Sequence, residues 1–558
     1  MKYSVLADVY ERLEKESSKL KKTDILSELL LQTPAELLPK VVLLATGKVF
    51  PAYSELKTGV ASKMMIKAIM KATGVHEKDI LQKFKELGDL GSVAEWCIKE
   101  KKQVALFKKE LTVELVYRDL QSLATLTGSG SQERKLDLIA ELLVSATPKE
   151  ARYIVRTILE TLRIGVAEGI VRDAIAKSFG VDPKLVENAW FWRPDYGEIA
   201  RIAKEEGEEG LKKVRIELGK PIMVMLGEKA PTLKDALEEF ERCILEYKYD
   251  GARTCIHKKG KKIWLFTRRL EDITAQFPDL VKLAKEGIIV DECIVEGETI
   301  GINPKTGEPI PFQQLSRRIQ RKYDVAKMAE EIPVRIYLFD ILYINGKSIV
   351  HKPLKERRDI LEKSIRTIPG KFELSKALIT KDIKEAEKFY KDALKAKQEG
   401  LMIKNLDAPY QPGRRVGYML KVKPTMEPLD LVIIGAEWGT GKRAKWLGSY
   451  VLGCRDPDTG RFLSCGMLGT GLTDEQFQEM TNKLKPLIIK EEGRTVKVRP
   501  EIVVEVGYEE IQKSPHYESG YALRFPRLIR ERTMEKSAEE ADTIERVKNL
   551  FESQSKVK

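Results

Sequence analysis

Cysteine and histidine are scarce in this 558-residue sequence, and what little there is lies scattered. The six cysteines (Cys97, Cys243, Cys255, Cys293, Cys454, Cys465) form no Cys-x-x-Cys pair, which argues against a zinc ribbon and a disulfide framework. The four histidines (His76, His257, His351, His516) are too far apart for metal-ligand spacing. Long apolar runs are missing as well. The N-terminal stretch MKYSVLADVYERLEKESSKL alternates apolar and charged residues at helical spacing, so it reads as neither a signal peptide nor an anchor. These absences predict a reduced, cytoplasmic protein that does not enter a membrane. Asparagine is sparse beside abundant Lys and Glu, a composition that suits a thermophile.

What is present in excess is positive charge. Lys and Arg number 98 against 85 Asp and Glu, a net charge of +13 that favours a polyanionic partner such as nucleic acid. At this length one hydrophobic core is not enough, and three domains, or four, are expected. Residues 1–215 read as helix after helix. Tyr3, Leu6, Val9, Tyr10 and Leu13 recur at three- and four-residue steps on one face. Thr23 is the expected N-cap of the next helix, and Thr33-Pro34 the expected start of another. In TLRIGVAEGIVRDAIAKSFG (161–180), Gly165, Gly169 and Gly180 allow close approach of a backbone or a phosphate, with tight helix packing the plainer reading. Residues 216–425 alternate Ile- and Val-rich strand runs with helical segments at 277–286, 352–367 and 382–397, the texture of a mixed α/β domain. Residues 426–558 carry short strands with turns between them, the pattern of a small β-barrel, and end in a charged helix, DTIERVKNLFESQ.

The chemistry centres on EYKYDGAR (246–253). A lysine attacks only when neutral, which at pH 7 costs about 4.6 kcal/mol from its reference pKa. Nearby cations lower that cost, and Arg253 lies close in sequence. Asp250 and Gly251 are expected to turn the chain and present Lys248 at a strand end, with the glycine admitting a ligand. Lys-x-Asp-Gly alone would occur by chance in roughly one chain in five of this composition, so its context decides. Downstream, in order, come TRRLEDIT (267–274), IVEGETIG (294–301), YLFDILYING (337–346), KQEGLMIKN (397–405), YMLKVKP (418–424) and ALRFPRLIRERTMEK (522–536).

These ordered motifs resemble those of the covalent nucleotidyltransferases, and in particular ATP-dependent DNA ligases of the archaeal and eukaryotic replicative type. The resemblance spans essentially the whole chain. It implies a multidomain fold: an all-α DNA-binding domain, an α/β adenylation (nucleotidyltransferase) domain and an OB-fold β-barrel domain. It implies that Lys248 forms lysyl-AMP, that Glu246 hydrogen-bonds adenine and that Phe339 stacks on it. Arg253 and Arg268 would contact ribose and phosphates, and Arg268 the DNA 5′-phosphate. Glu298 and Glu399 would sit near Mg²⁺ (or Mn²⁺), and Arg415, Lys421 and Lys423 would neutralise the α-phosphate. The implied substrates are ATP and nicked duplex DNA, the chain acting as a monomer in replication, repair and recombination. The tail departs from the family: where Arg-x-Asp-Lys is usual, residues 530–536 carry an extra residue and no Asp before Lys536. Arg524, Arg527, Arg530, Arg532 and Lys536 lie in this region, with Arg527, Arg530 and Lys536 as the candidates to orient pyrophosphate. QVALF (103–107) is similar to a sliding-clamp docking segment anchored by Gln103, Leu106 and Phe107, or else is an apolar helix end. WGTGKR (438–443) fails P-loop spacing and reads as a basic DNA-facing loop.

Capping guanylyltransferases and RNA ligases share the lysine motif, but the long helical N-terminal part opposes both. An NAD-dependent ligase lacks support because its four-cysteine cluster has no counterpart here. A non-catalytic duplex-binding protein would not need every motif residue through Lys423.

Overall fold

In the computed structural model, all residues are described except 52, 55, 101–108, 321–323, 414–415, 425 and 558. The chain divides into two compact units, Met1–Ala61 with Phe107–Lys423, and Ser62–Leu106 with Pro424–Lys558. The N-terminal region is helical as its periodicity requires. Tyr3, Leu6, Val9, Tyr10 and Leu13 are all buried on one face of the helix Tyr3–Lys15. Two expected helix starts move. Ser18, not Thr23, caps the second helix (Lys19–Gln32), and the Thr23 hydroxyl bonds back to the Lys19 carbonyl at 3.1 Å inside it. After Thr33-Pro34 the chain makes a 3-10 turn, Ala35–Leu37, before the helix Leu38–Ala45. Gly165 takes φ +69° over the Lys22 ammonium, which donates to the Ile164 carbonyl, so the close approach there is internal. Gly180 is the left-handed C-cap of the helix Glu168–Phe179.

The central region is built on two mostly antiparallel sheets, each with one parallel pair: Glu228–Lys229 beside Met419–Val422 in one and Phe372–Leu374 beside Val334–Ile344 in the other. The strands that matter for the site are β1 (Cys243–Lys248), β2 (Ala252–Lys259), β3 (Lys262–Thr267), β4 (Glu292–Ile302), β5 (Val334–Ile344), β6 (Gly400–Asn405) and β7 (Met419–Val422). One sheet runs Glu228–Lys229, β7, β6, β1, Ala377–Ile379, and the other β3, β2, β4, β5, Lys347–Ser348. Period-two alternation sorts their faces. Leu245 and Tyr247 of β1 pack with Ala386 and Ala393 of the helix Ile383–Lys395, so Glu246 and Lys248 face the other way. On β5, Ile336 and Leu338 enter the core of the second sheet with Phe277, Leu280 and Leu361. Tyr337, together with Ile300 and Ile302 of β4, instead joins the core of the first sheet. Phe339 sits at a register irregularity of β5, between Leu338, which pairs with Gly297, and Asp340, which pairs with Glu296.

In the other unit, a seven-stranded antiparallel sheet is centred on the strand Leu429–Trp438, with strands Leu447–Arg455, Phe462–Leu468, Thr495–Val498 and Val503–Gly507 around it. The helix Ile544–Val557 packs Val547 into its core. All six cysteines are free and buried. No helix among the described residues is long and apolar enough to cross a membrane.

His257 on β2 is fully buried, accepts from the Gly219 amide at 3.2 Å through Nδ1, and has no partner for Nε2 among the described residues. Burial pushes its pKa down from 6.5 to about 3. An unfolded histidine gains its proton near 6.5, so the neutral ring's contribution to stability is intact above that pH and is lost progressively as pH falls toward the folded value. Between pH 6.5 and 5 the central region should lose about 2 kcal/mol that a His257→Asn variant, whose carbonyl can still accept from Gly219, retains. Urea midpoints at the two pH values check this. Equal acid losses in both proteins would remove His257 from the account.

Candidate active site

The turn after β1 is dictated by sterics. A Cβ on Gly251 would lie 2.4 Å from the Thr299 carbonyl oxygen of β4, so this glycine admits a neighbouring strand, not the ligand the sequence suggested. Gly400 opens β6 at φ +141°, where a Cβ would overlap the Val422 carbonyl, and it pairs with Lys248 in register. The Glu399 amide then donates to the Lys248 carbonyl at 2.9 Å. Strand pairing therefore places the two side chains together, and Lys248 Nζ lies 2.6 Å from Glu399 Oε2. Lys423, just past β7, brings a second ammonium to the same oxygen at 2.8 Å.

The electrostatics reverse one expectation. Burial disfavours the Lys248 ammonium, but Glu399, Glu298 and Asp250 outweigh it and hold the pKa above the ordinary lysine value. Arg253 is engaged elsewhere. Its guanidinium is turned to Glu296 at 2.6 Å and to the Met225 carbonyl at 2.7 Å, with Glu296 also accepting from the Tyr410 hydroxyl at 3.0 Å. Lys248 is thus stored as an ammonium between carboxylates. Those carboxylates differ. Burial raises Glu298 to about 7, with Glu399 and Asp250 adding to the rise against the pull of Lys248 and Arg253. Glu399, though burial opposes its charge, is brought down to about 2 by Lys248 and Lys423. Among the described residues no three acidic, His or Cys side chains form a protein-only metal cage. Two hard oxygen donors, one of them short of compensating charge, fit a divalent cation that takes most of its remaining ligands from water and phosphate.

Deeper in the same face lies Glu246, 3% exposed. Arg358 Nη1 donates to its Oε1 at 2.6 Å and Ser375 Oγ at 2.9 Å, while Lys404 pairs with Oε2. The half-buried Phe339 ring approaches from the opposite sheet, with the Lys404 ammonium 4.2 Å and the Arg253 guanidinium carbon 5.4 Å from its centroid. Sequence reasoning missed Glu296, Arg358, Ser375, Lys404 and Tyr410. Glu296 stands one glycine before Glu298, and Lys404 inside KQEGLMIKN, so both were legible as members of a motif but not as partners.

The remaining candidates are placed as follows. Arg268 is exposed just after β3, and Lys421 lies on β7. Arg415 and the segment with Gln103, Leu106 and Phe107 lie outside the described residues. In the tail, Arg524 bonds Glu510 at 3.3 Å and Arg527 is exposed. Arg530 is held by Glu505 at 2.7 Å and Glu535 at 2.8 Å. Arg532 and Lys536 share Asp430 Oδ2 at 3.0 and 2.5 Å. Arg443 of WGTGKR is held by Asp474 at 2.5 Å and lies over the Phe477 ring.

Two sheets that bring a strand-end lysine into register with a carboxylate, and a buried carboxylate to an aromatic face, define a nucleotidyltransferase domain. Residues 224–423 match the family model "ATP dependent DNA ligase domain", residues 2–176 "DNA ligase N terminus" and residues 443–535 "ATP dependent DNA ligase C terminal region". The chain belongs to the ATP-dependent DNA ligases, and within them to the archaeal type. It is 48% identical to a DNA ligase of Nanoarchaeum equitans, covering 99% of each chain, and 47% identical to that of Thermococcus onnurineus, over 100% of this chain and 99% of the relative. The DNA ligase of Archaeoglobus fulgidus is 46% identical over the full length of both. Among solved structures, one named Pmar-Lig_PreS3 covers 94% of this chain and 99% of its own, with a TM-score of 0.58 at 18% identity, which shows the shared fold. The expected fold class stands: a helical N-terminal region, a central nucleotidyltransferase domain and a β-rich C-terminal region.

Proposed function

We propose that this ligase seals nicks in duplex DNA by carrying AMP on Lys248. The observation that carries the reading is the Lys248 amine, presented at a strand end between Glu399 and Glu298. Three in-line displacements follow. Lys248 Nζ bonds to the α-phosphorus of ATP as the bond to pyrophosphate breaks. A 5′-phosphate oxygen at the nick then takes the adenylyl group, and the P–N bond breaks to return the amine. Last, the 3′-hydroxyl attacks the 5′-phosphate and AMP leaves.

In this reading Glu246 and Phe339 hold the adenine, and Arg253 keeps the ribose side ordered through Glu296. Arg268 meets phosphate, and Lys423, with Lys421 and Arg415, neutralises the α-phosphate. Glu298 and Glu399 hold Mg²⁺ or Mn²⁺, which supplies positive charge to the phosphates. Arg527, Arg530 and Lys536 orient the departing pyrophosphate. The chain works as a cytoplasmic monomer in replication, repair and recombination, with functional boundaries near 215 and 425. The test is which nucleotide leaves a covalent adduct. Label from α-labelled ATP, mapped to Lys248, is expected, and label from GTP but not ATP would sink the reading.

Gln103, Leu106 and Phe107 dock a sliding clamp. Phe107→Ala should weaken that association about tenfold or more, as loss of an aromatic anchor does. Unchanged affinity in a titration against the clamp would end the idea.

A further inference from the structure

Lys404 is a buried lysine with no place in the chemistry above, 4% exposed. Its ammonium is paired with Glu246 Oε2 and stands 4.2 Å from the Phe339 centroid. It therefore touches both groups that the base must use. The other oxygen of Glu246 already accepts from Arg358 and Ser375. A carboxylate offers about four acceptor positions, two per oxygen. Three are filled, so one remains, on the oxygen that Lys404 holds.

A buried position that can only accept takes an exocyclic amine and rejects a carbonyl oxygen set in the same place, because neither partner of that pair could donate. We propose that Lys404 is a positioning residue that aims this last acceptor of Glu246 and so makes the pocket select a 6-aminopurine over a 6-oxopurine. The inference rests on the reading of Glu246 and Phe339 as the base contacts. Arg358 anchors the far oxygen and Lys404 the near one. Without Lys404 the carboxylate keeps its fold-supporting pair but is free to rotate about it.

The experiment uses the full chain, with ATP and inosine triphosphate as probes of self-nucleotidylation. Lys404→Met keeps the length and removes the charge, and Arg358 still pairs Glu246. The KM for ATP should rise about 10- to 100-fold, the scale of one charge-assisted hydrogen bond. Maximal rate should stay within about threefold, and the preference for ATP over inosine triphosphate should shrink by a factor similar to the KM change. Lys404→Arg should recover most of the preference. An unchanged KM and unchanged preference overturn the proposal. So does a loss of maximal rate accompanied by a lower melting temperature and no recovery in the arginine variant, since that is a structural role. Wild-type protein that takes no label from ATP would instead remove the site reading itself, and Lys404 with it.

Discussion

Replacing Lys248 by alanine should abolish label transfer from ATP and lower nick sealing by about four orders of magnitude or more, while a nick already carrying a 5′-adenylate is still sealed. The split follows from where the amine enters. It is the attacking atom in the first displacement and the leaving atom in the second. In the third the DNA 3′-oxygen attacks the DNA 5′-phosphorus and AMP leaves with the bridging oxygen, so the amine takes no part and the protein contributes position and charge. Glu399 and Lys423 remain in the alanine variant, paired to each other at 2.8 Å, and so does the Phe339 slot. Sealing of the pre-adenylated nick should therefore hold within about tenfold of wild type, since what is removed is a nucleophile and not a binding surface. A gel assay with the two substrates side by side reads both arms. Robust sealing of the plain nick with ATP by the alanine variant would defeat the covalent route. Loss of both activities would mean that Lys248 organises the site instead of attacking.

The parts of this site that the sequence made legible are those set by chain order and alternation. EYKYDGAR predicts a strand end followed by a turn, and alternation alone puts Glu246 and Lys248 on one face. The helical face of Tyr3–Lys15 and the bounds of the later helices were legible for the same reason, a local period. Partnerships across the sheets were not. Arg253 is five residues from Lys248 and looked like its activator, yet strand register sets it opposite Glu298, and its guanidinium reaches diagonally to Glu296 on the same strand. Lys404 and Glu246 are distant in sequence and meet because β6 runs antiparallel beside β1. Thr23 looked like a cap because nothing in the sequence ranks it below Ser18, which wins by starting the helix five residues sooner. The tail shows the same limit. Asp430, a hundred residues earlier, pairs with both Arg532 and Lys536, a partnership that no local pattern announces.

Glu399→Gln is expected to slow adenylation from ATP about a hundredfold at neutral pH, and two opposed effects decide that figure. The change removes the anion nearest Lys248, and the lysine pKa must fall with it, because Glu399 heads the carboxylates that hold it above its ordinary value. Each unit of that fall gives about a tenfold larger neutral fraction while the amine is mostly protonated, which favours attack. Against this, the amide brings no charge to a divalent cation and no longer fixes both Lys248 and Lys423 on one oxygen. Losses of that kind run to about 10²- to 10³-fold and more when a metal contact and the aim of a nucleophile go together. The second effect is the larger, so the rate falls. The first effect nonetheless leaves a signature. In wild type, adenylation should rise with pH as the stored ammonium gives up its proton. In the glutamine variant the same rise should level off at lower pH, at a lower plateau. Single-turnover labelling between pH 6 and 11 reads both quantities. A variant within about threefold of wild type, or a plateau displaced to higher pH, would show that Glu399 neither aims the lysine nor sets its charge.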